Sequence, residues 1–107
     1  MSEDALRTLS DMAEIAHKRI QEAHQHINPV LEVRSGMRAG GIPADVMTLD
    51  CLRTRRRIML ILHDEEPGFV LYQFVTLEDE IAEQFQRMNL SEMSSDTLFH
   101  WMQDYFG

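Results

Sequence analysis

The sequence predicts a single small α+β domain in which an antiparallel sheet is covered by helices. Three observations support this prediction: a long helical repeat at the start of the chain, two β-rich segments joined by a proline-glycine turn, and two helical patterns after them. With 107 residues the chain is long enough for one domain and short for two. Because 44% of its residues are hydrophobic, it has enough apolar material to form one core.

The first segment predicts a helix over residues 3–27, because apolar residues recur there in an unbroken heptad pattern. The helix should stop at Asn28-Pro29, since a residue before proline avoids the α conformation. Several repeat positions are alanine, so the helix can approach its partner closely. The sequence does not decide whether the helix packs on the protein's own core or on a second copy of itself. The repeat positions form the N-terminal seam, which consists of Leu6, Leu9, Ala13, Ala16, Ile20, Ala23 and Ile27.

The middle of the chain predicts one short strand followed by a loop. Residues 30–34 carry the alternating pattern of a strand, and residues 35–43 contain three glycines and a proline, which favours a loop. The glycines do not follow the spacing of a phosphate-binding loop. Residues 44–52 fit neither helix nor strand clearly, so the sequence leaves their structure open.

The clearest β signal comes from residues 56–63 and 69–75, which predict a β-hairpin. The connecting loop ends in Pro67-Gly68, a turn dipeptide. With a five-residue loop, Arg56 should face Thr76 across the two strands. Both faces of each strand are largely apolar, so the sheet should be covered on both sides.

Two further helices are predicted after the hairpin. Thr76 can cap a helix over residues 77–88, whose acidic first turn suits the positive end of the helix dipole. Ser94 or Ser95 can cap a last helix over residues 96–106. The inner stripe of the first helix consists of Leu77, Ile81, Phe85 and Met88, and the apolar face of the second of Leu98, Phe99, Met102, Tyr105 and Phe106.

Charge and composition restrict the classes of function. The formal net charge is -8, and residues 58–107 hold ten acidic residues and one basic residue. This acidic half of the chain repels nucleic acid at long range, which disfavours nucleic acid as a partner. The first residues are acidic where a secretory signal would be basic, and no apolar run approaches the roughly 20 residues that span a membrane. A single cysteine, Cys51, excludes an internal disulfide and favours a cytoplasmic location.

Four arginines within residues 53–57 are the first candidate binding site. In an extended strand, Arg53, Arg55 and Arg57 would lie on one side and Arg56 on the other. Guanidinium groups suit phosphate and carboxylate ligands, so the three could bind an anion, a nucleic acid or a partner protein. The alternative is charge neutralisation inside the fold, because the hairpin register brings this segment beside the acidic residues 78–80.

Histidines and acidic residues do not form a known metal or catalytic pattern. His17 and His24 share a helix face at about 10 Å, which is too far for one metal ion. His63 precedes three acidic residues at the hairpin tip, but a solvated tip lacks the burial that tunes catalytic groups. We therefore predict no catalytic residue, no metal and no cofactor, and a protein that is not an enzyme.

The last helix carries four aromatic residues within residues 99–106. Most of them should cover the sheet, whereas Trp101 on the helix flank is a candidate for an interface. The leading hypothesis is a small acidic cytoplasmic protein, an adaptor or regulator that acts through protein contacts, with a homodimer as the preferred assembly. The alternative is a binder of nucleic acid or of an anionic small molecule through Arg53, Arg55 and Arg57.

Overall fold

The structure is a computed structural model and describes residues 2–34, 39–78 and 85–107. Its elements are, in chain order, α1 (Ser2–Ala23), β1 (Val30–Arg34), β2 (Ala44–Cys51), β3 (Arg56–His63), β4 (Phe69–Thr76), β5 (Gln86–Asn89), a short 3-10 helix (Leu90–Glu92) and α2 (Ser95–Phe106). The strands form one antiparallel sheet in the order β1-β2-β3-β4-β5, so each pairs with the next one along the chain. The predicted α+β class is confirmed.

Strand β2 is the segment whose structure the sequence left open. It lies between β1 and β3, and all eight of its residues are buried. Apolar and polar residues are mixed along it, with Asp45, Thr48 and Asp50 buried beside Met47 and Leu49. This mixture explains why neither a helical nor a strand pattern stands out in the sequence.

Strands β3 and β4 form the hairpin in the middle of the sheet. Arg56 lies opposite Thr76 and Ile61 opposite Leu71, the pairing expected for a five-residue loop. Gly68 closes the loop with φ of +83°, which glycine adopts without steric strain. The five residues at the centre of β3 are all buried, so both of its faces are covered.

Helix α1 packs through the N-terminal seam on the protein's own core. The chain leaves the helix at Ala23, four residues before the predicted end, and turns at residues 25 and 26. This turn returns Ile27 to the core, where it is 1% exposed. The seam residues that are fully buried are Leu9, Ala13, Ala16 and Ile20.

The predicted helix over residues 77–88 is wrong where the structure describes it. Leu77 and Glu78 form a turn, and Gln86–Asn89 form the edge strand β5. Residues 79–84 of this prediction lie outside the described residues. Met88 pairs with Val70 of β4, so hydrogen bonding to the sheet overrides the helical spacing of the apolar residues.

Helix α2 begins one residue before the predicted start and ends at the predicted residue. Ser94 is its N-cap: the Ser94 hydroxyl accepts a hydrogen bond from the Thr97 backbone, and the Thr97 hydroxyl accepts one from the Ser94 backbone. Leu98, Met102 and Phe106 are fully buried in the same core cluster as α1. In the described part of the chain, no helix is both long and apolar enough to cross a membrane.

The two faces of the sheet have separate apolar clusters. Residues of α1 and α2 pack with the sheet in the larger cluster, which defines the helical face. The smaller cluster on the opposite face consists of Ala44, Val46, Met59 and Ile61, with Leu71 and Phe85 packed against it.

Candidate partner-binding site

Aromatic side chains from α2 and β4 meet on the helical face. Trp101 and Tyr105 are four residues apart on α2, so they lie on one side of the helix. Tyr72 and Phe74 are two residues apart on β4 and therefore point to one side of the sheet. The β3 residues opposite them belong to the larger core cluster, which places this side toward α2.

The four rings contact one another in geometries typical of aromatic pairs. The Trp101 ring lies 4.6 Å from the Tyr72 ring and 5.2 Å from the Phe74 ring, measured between centroids. Phe74 also lies 5.3 Å from Tyr105, and its plane is inclined by 74° to Trp101 and by 67° to Tyr105. The Tyr105 hydroxyl donates a hydrogen bond of 2.7 Å to the backbone oxygen of Val75. Each ring is therefore fixed by at least one neighbour.

A cleft of about 280 Å³ opens between these rings, and we call it the aromatic cleft. It is lined by Phe74, Trp101, Asp104 and Tyr105. Phe74 is 39% exposed, and Trp101 and Tyr105 are partly exposed. Trp101, the interface candidate from the sequence, thus lines a surface cleft while it also packs on the sheet.

The four arginines within residues 53–57 form the arginine segment. This segment borders the cleft, because two of its arginines bind the C-terminal end of α2. Arg53 donates a hydrogen bond of 2.8 Å to the backbone oxygen of Phe106, and Arg56 donates one of 2.6 Å to that of Tyr105. The Arg56 guanidinium also lies 5.0 Å from the centre of the Tyr105 ring. The last turn of α2 has no basic residue of its own, so these arginines supply positive charge at the negative end of the helix dipole.

The other two arginines bind carboxylates. Arg55 donates to Glu78, and Arg57 donates to Asp50 from Nε at 2.8 Å and from Nη2 at 3.0 Å. The hydrogen bonds to Asp50 raise the pKa of Arg57.

The expected common side for Arg53, Arg55 and Arg57 is wrong, because residues 52–55 form a turn and not an extended strand. Arg55 even has a positive φ of 57° within this turn. These three guanidinium groups therefore donate hydrogen bonds to three different acceptors.

The acids that pair with this segment are only partly those expected. Glu78 is one of them, and residues 79 and 80 lie outside the described part of the chain. Asp50 was missed, although it lies directly opposite Arg57 on β2. Its position follows from the tight turn between β2 and β3, but only once β2 is identified as a strand.

A second groove, of about 510 Å³, lies beside the hairpin tip and includes His63, Asp64 and Glu66. The Nδ1 atom of His63 accepts a hydrogen bond of 3.1 Å from the Glu65 backbone, and Glu66 accepts one of 2.8 Å from Arg87. These contacts hold the loop together. Among residues 2–34, 39–78 and 85–107, no group of three or more histidine, cysteine or acidic side chains could hold a metal ion.

The histidines of the first segment connect α1 to its surroundings. His17 donates a hydrogen bond of 2.6 Å to the backbone oxygen of Pro29, which ties the chain after the helix back to it. His24 hydrogen-bonds the side chain of Gln103 on α2 at 3.1 Å. Cys51 is buried in the main core, 1% exposed.

Comparison with known proteins found no match to a protein-family model, to a curated protein or to a solved structure. The function must therefore be inferred from the residues of this chain.

Proposed function

We propose that this protein is a non-enzymatic adaptor or regulator that acts through protein contact, and that the aromatic cleft is its contact surface. The observation that carries the proposal is the position of Phe74, which is 39% exposed although it lies on the face of the sheet that packs against the helices. The residue opposite it on β3, Ile58, is fully buried. Aromatic side chains are enriched at the centres of protein interfaces, where they provide a large contact area.

The rigidity of the cleft supports a binding role. Trp101 is packed against two rings, and Tyr105 is fixed by its hydrogen bond to Val75. A side chain that is already immobilised loses little conformational entropy when a partner binds. The cleft is therefore preorganised, which favours affinity from a small contact area.

The size of the cleft favours one inserted side chain over a whole small molecule. Pockets for cofactors and drug-sized ligands measure about 300 to 1,000 Å³. The aromatic cleft, at about 280 Å³, lies below this range and is open to solvent. A protruding side chain on a partner protein matches this volume better.

The proposal includes a cytoplasmic location, in line with the single buried cysteine, a protein partner and assembly as a homodimer. A homodimer would need a surface outside the N-terminal seam, because the seam is buried in the monomer. The second candidate function is anion or nucleic-acid binding by Arg53, Arg55 and Arg57. It has less support, since each of these guanidinium groups already donates to an acceptor within the chain.

Comparative capture of partners from an extract of the native host tests the main proposal. Phe74→Ala removes the exposed ring, and Ile15→Ala is the matched control because Ile15 is an apolar side chain 53% exposed on α1, outside the cleft. We expect at least one bound protein to be lost with Phe74→Ala and retained with Ile15→Ala, while circular dichroism shows that both variants are folded. Phe74→Ala should unfold at a lower temperature than Ile15→Ala, because its ring packs on Trp101 and Tyr105. Identical sets of bound proteins for both variants would rule out the cleft as the contact surface.

A further inference from the structure

We propose that the aromatic cleft binds the side-chain ammonium group of a lysine on its partner protein. This inference rests on the proposed function and adds the chemistry of the recognised group. It depends on three features: the ring faces, the carboxylate beside them and the charge of the surrounding chain.

The rings provide a site for a cation. The face of an aromatic ring carries partial negative charge and attracts ammonium groups, most strongly for tryptophan. Phe74 is inclined steeply to both Trp101 and Tyr105, so rings from the sheet and from α2 bound the cleft in different orientations. Proteins hold alkylammonium groups against aromatic rings, and three rings line this cleft.

Asp104 provides the matching negative charge. It lies between Trp101 and Tyr105 on α2 and lines the same cleft. No hydrogen bond or ion pair joins its carboxylate to any other residue that the structure describes. By contrast, the first-turn acid of α2, Asp96, is paired with Arg19. The carboxylate of Asp104 can therefore accept a hydrogen bond from an incoming ammonium group.

Lysine suits this cleft better than a larger cation. Its four-carbon stem can pack against ring faces while its compact head reaches the carboxylate. Arg56 already lies 5.0 Å from the centre of the Tyr105 ring, so a second cation is best held between Trp101, Phe74 and Asp104. Residues 58–107 hold ten acids and one base, so this half of the chain attracts a basic partner at long range, while Arg53 and Arg56 border the cleft on the Tyr105 side.

Trp101 is the only tryptophan of the chain, so its fluorescence reports directly on the cleft. The probes are two acetylated and amidated peptides, Gly-Lys-Gly and its neutral counterpart with norleucine, titrated to millimolar concentration at low salt. We expect a saturable change with the lysine peptide and about tenfold weaker binding of the norleucine peptide, from the combined ring and carboxylate contacts. Trimethylation of the lysine should retain the ring contribution and keep binding above that of the norleucine peptide.

Two variants separate the contributions of the site. Asp104→Asn should weaken binding of the lysine peptide about threefold, whereas Asp11→Asn, which removes the same charge from an exposed position on α1, should leave it unchanged. Phe74→Leu keeps an apolar side chain but removes one ring face, and should weaken binding about threefold as well. Equal effects of Asp104→Asn and Asp11→Asn would exclude Asp104 from the site.

The outcomes distinguish this inference from the proposed function. Equal binding of the lysine and norleucine peptides, or no binding of either, would overturn the recognition of an ammonium group. If Phe74→Ala still loses a partner that Ile15→Ala keeps, the cleft remains a protein-contact surface with an apolar occupant. If both experiments fail, the proposed function fails with the inference.

Discussion

Arg57 faces Asp50 across β3 and β2 and donates two parallel hydrogen bonds to its carboxylate, at 2.8 Å and 3.0 Å. The two side chains are only 18% and 10% exposed, so the pair is largely removed from water. Bidentate pairing fixes the orientation of both groups as well as their distance. The pair therefore links the arginine segment to the interior of the sheet.

The Arg57–Asp50 pair should show strong coupling in a double-mutant cycle. Asp50→Leu or Arg57→Met alone leaves one charge unpaired in a desolvated position and should lower the free energy of unfolding by about 3 kcal/mol. The double variant leaves no charge and should lose less than about 1 kcal/mol. Urea unfolding of the four proteins measures the coupling. A double variant that loses the sum of the two single effects would show that the pair is not coupled.

The contacts of Arg53 and Arg56 with the end of α2 predict a role in stability. Arg53→Gln and Arg56→Gln each remove a charged donor from a helix carbonyl and should lower the free energy of unfolding by about 1 kcal/mol. Arg55→Gln is the control, because its exposed pair with Glu78 should contribute no more than about 0.5 kcal/mol. Thermal and urea unfolding provide the comparison. The helix-end role is refuted if Arg55→Gln destabilises the protein as much as the other two.

Arg53, Arg55 and Arg57 allow a direct test of anion binding. Each of the three donates to an acceptor within the chain. We therefore expect the wild type to show no affinity for DNA, RNA or nucleotides that falls steeply with salt. Three phosphate contacts would give a slope of about -3 in a plot of log affinity against log salt. Such a slope, abolished by replacing Arg53, Arg55 and Arg57 with glutamine, would favour the anion-binding function over our proposal.

The sequence predicts those parts of the fold in which local pattern and tertiary environment agree. The turn dipeptide and the apolar strands of the hairpin are sufficient to place Arg56 opposite Thr76, because loop length fixes the pairing. The heptad spacing likewise identifies α1 and its buried positions. In both cases the apolar pattern that can be read from the chain is also the pattern that is buried.

The predictions that were wrong or missing have a common physical cause. They depend on contacts between segments that are distant in the sequence or whose structure the sequence leaves open. Gln86–Asn89 has helical spacing with residues before it, yet it forms a strand because β4 offers hydrogen-bonding partners. Asp50 could not be matched to Arg57 while β2 was unassigned. The arginine contacts with α2 depend on how a helix packs about 50 residues later in the chain, which no local pattern reports.

The N-cap of α2 should make a measurable contribution to stability. The Ser94 side chain satisfies the Thr97 backbone N–H, which has no partner inside the helix. Ser94→Ala should therefore lower the free energy of unfolding by about 1 kcal/mol. Ser91→Ala, at an exposed residue of the 3-10 helix, should change it by less than about 0.5 kcal/mol. Equal effects of the two substitutions would argue against the capping box.

Substitution at Ala16 should unfold the protein whatever its oligomeric state. Ala16 is fully buried in the core cluster that α1 forms with α2 and the sheet, so Ala16→Glu places a carboxylate among apolar side chains. A buried unpaired charge costs several kcal/mol, a large part of the stability of a small domain. Ile15→Glu, at the preceding position, which is 53% exposed, should remain folded.

Circular dichroism tests folding, and light scattering of the wild type and of Ile15→Glu reports the oligomeric state. A folded Ala16→Glu variant that changed from dimer to monomer would instead place the seam at a subunit interface.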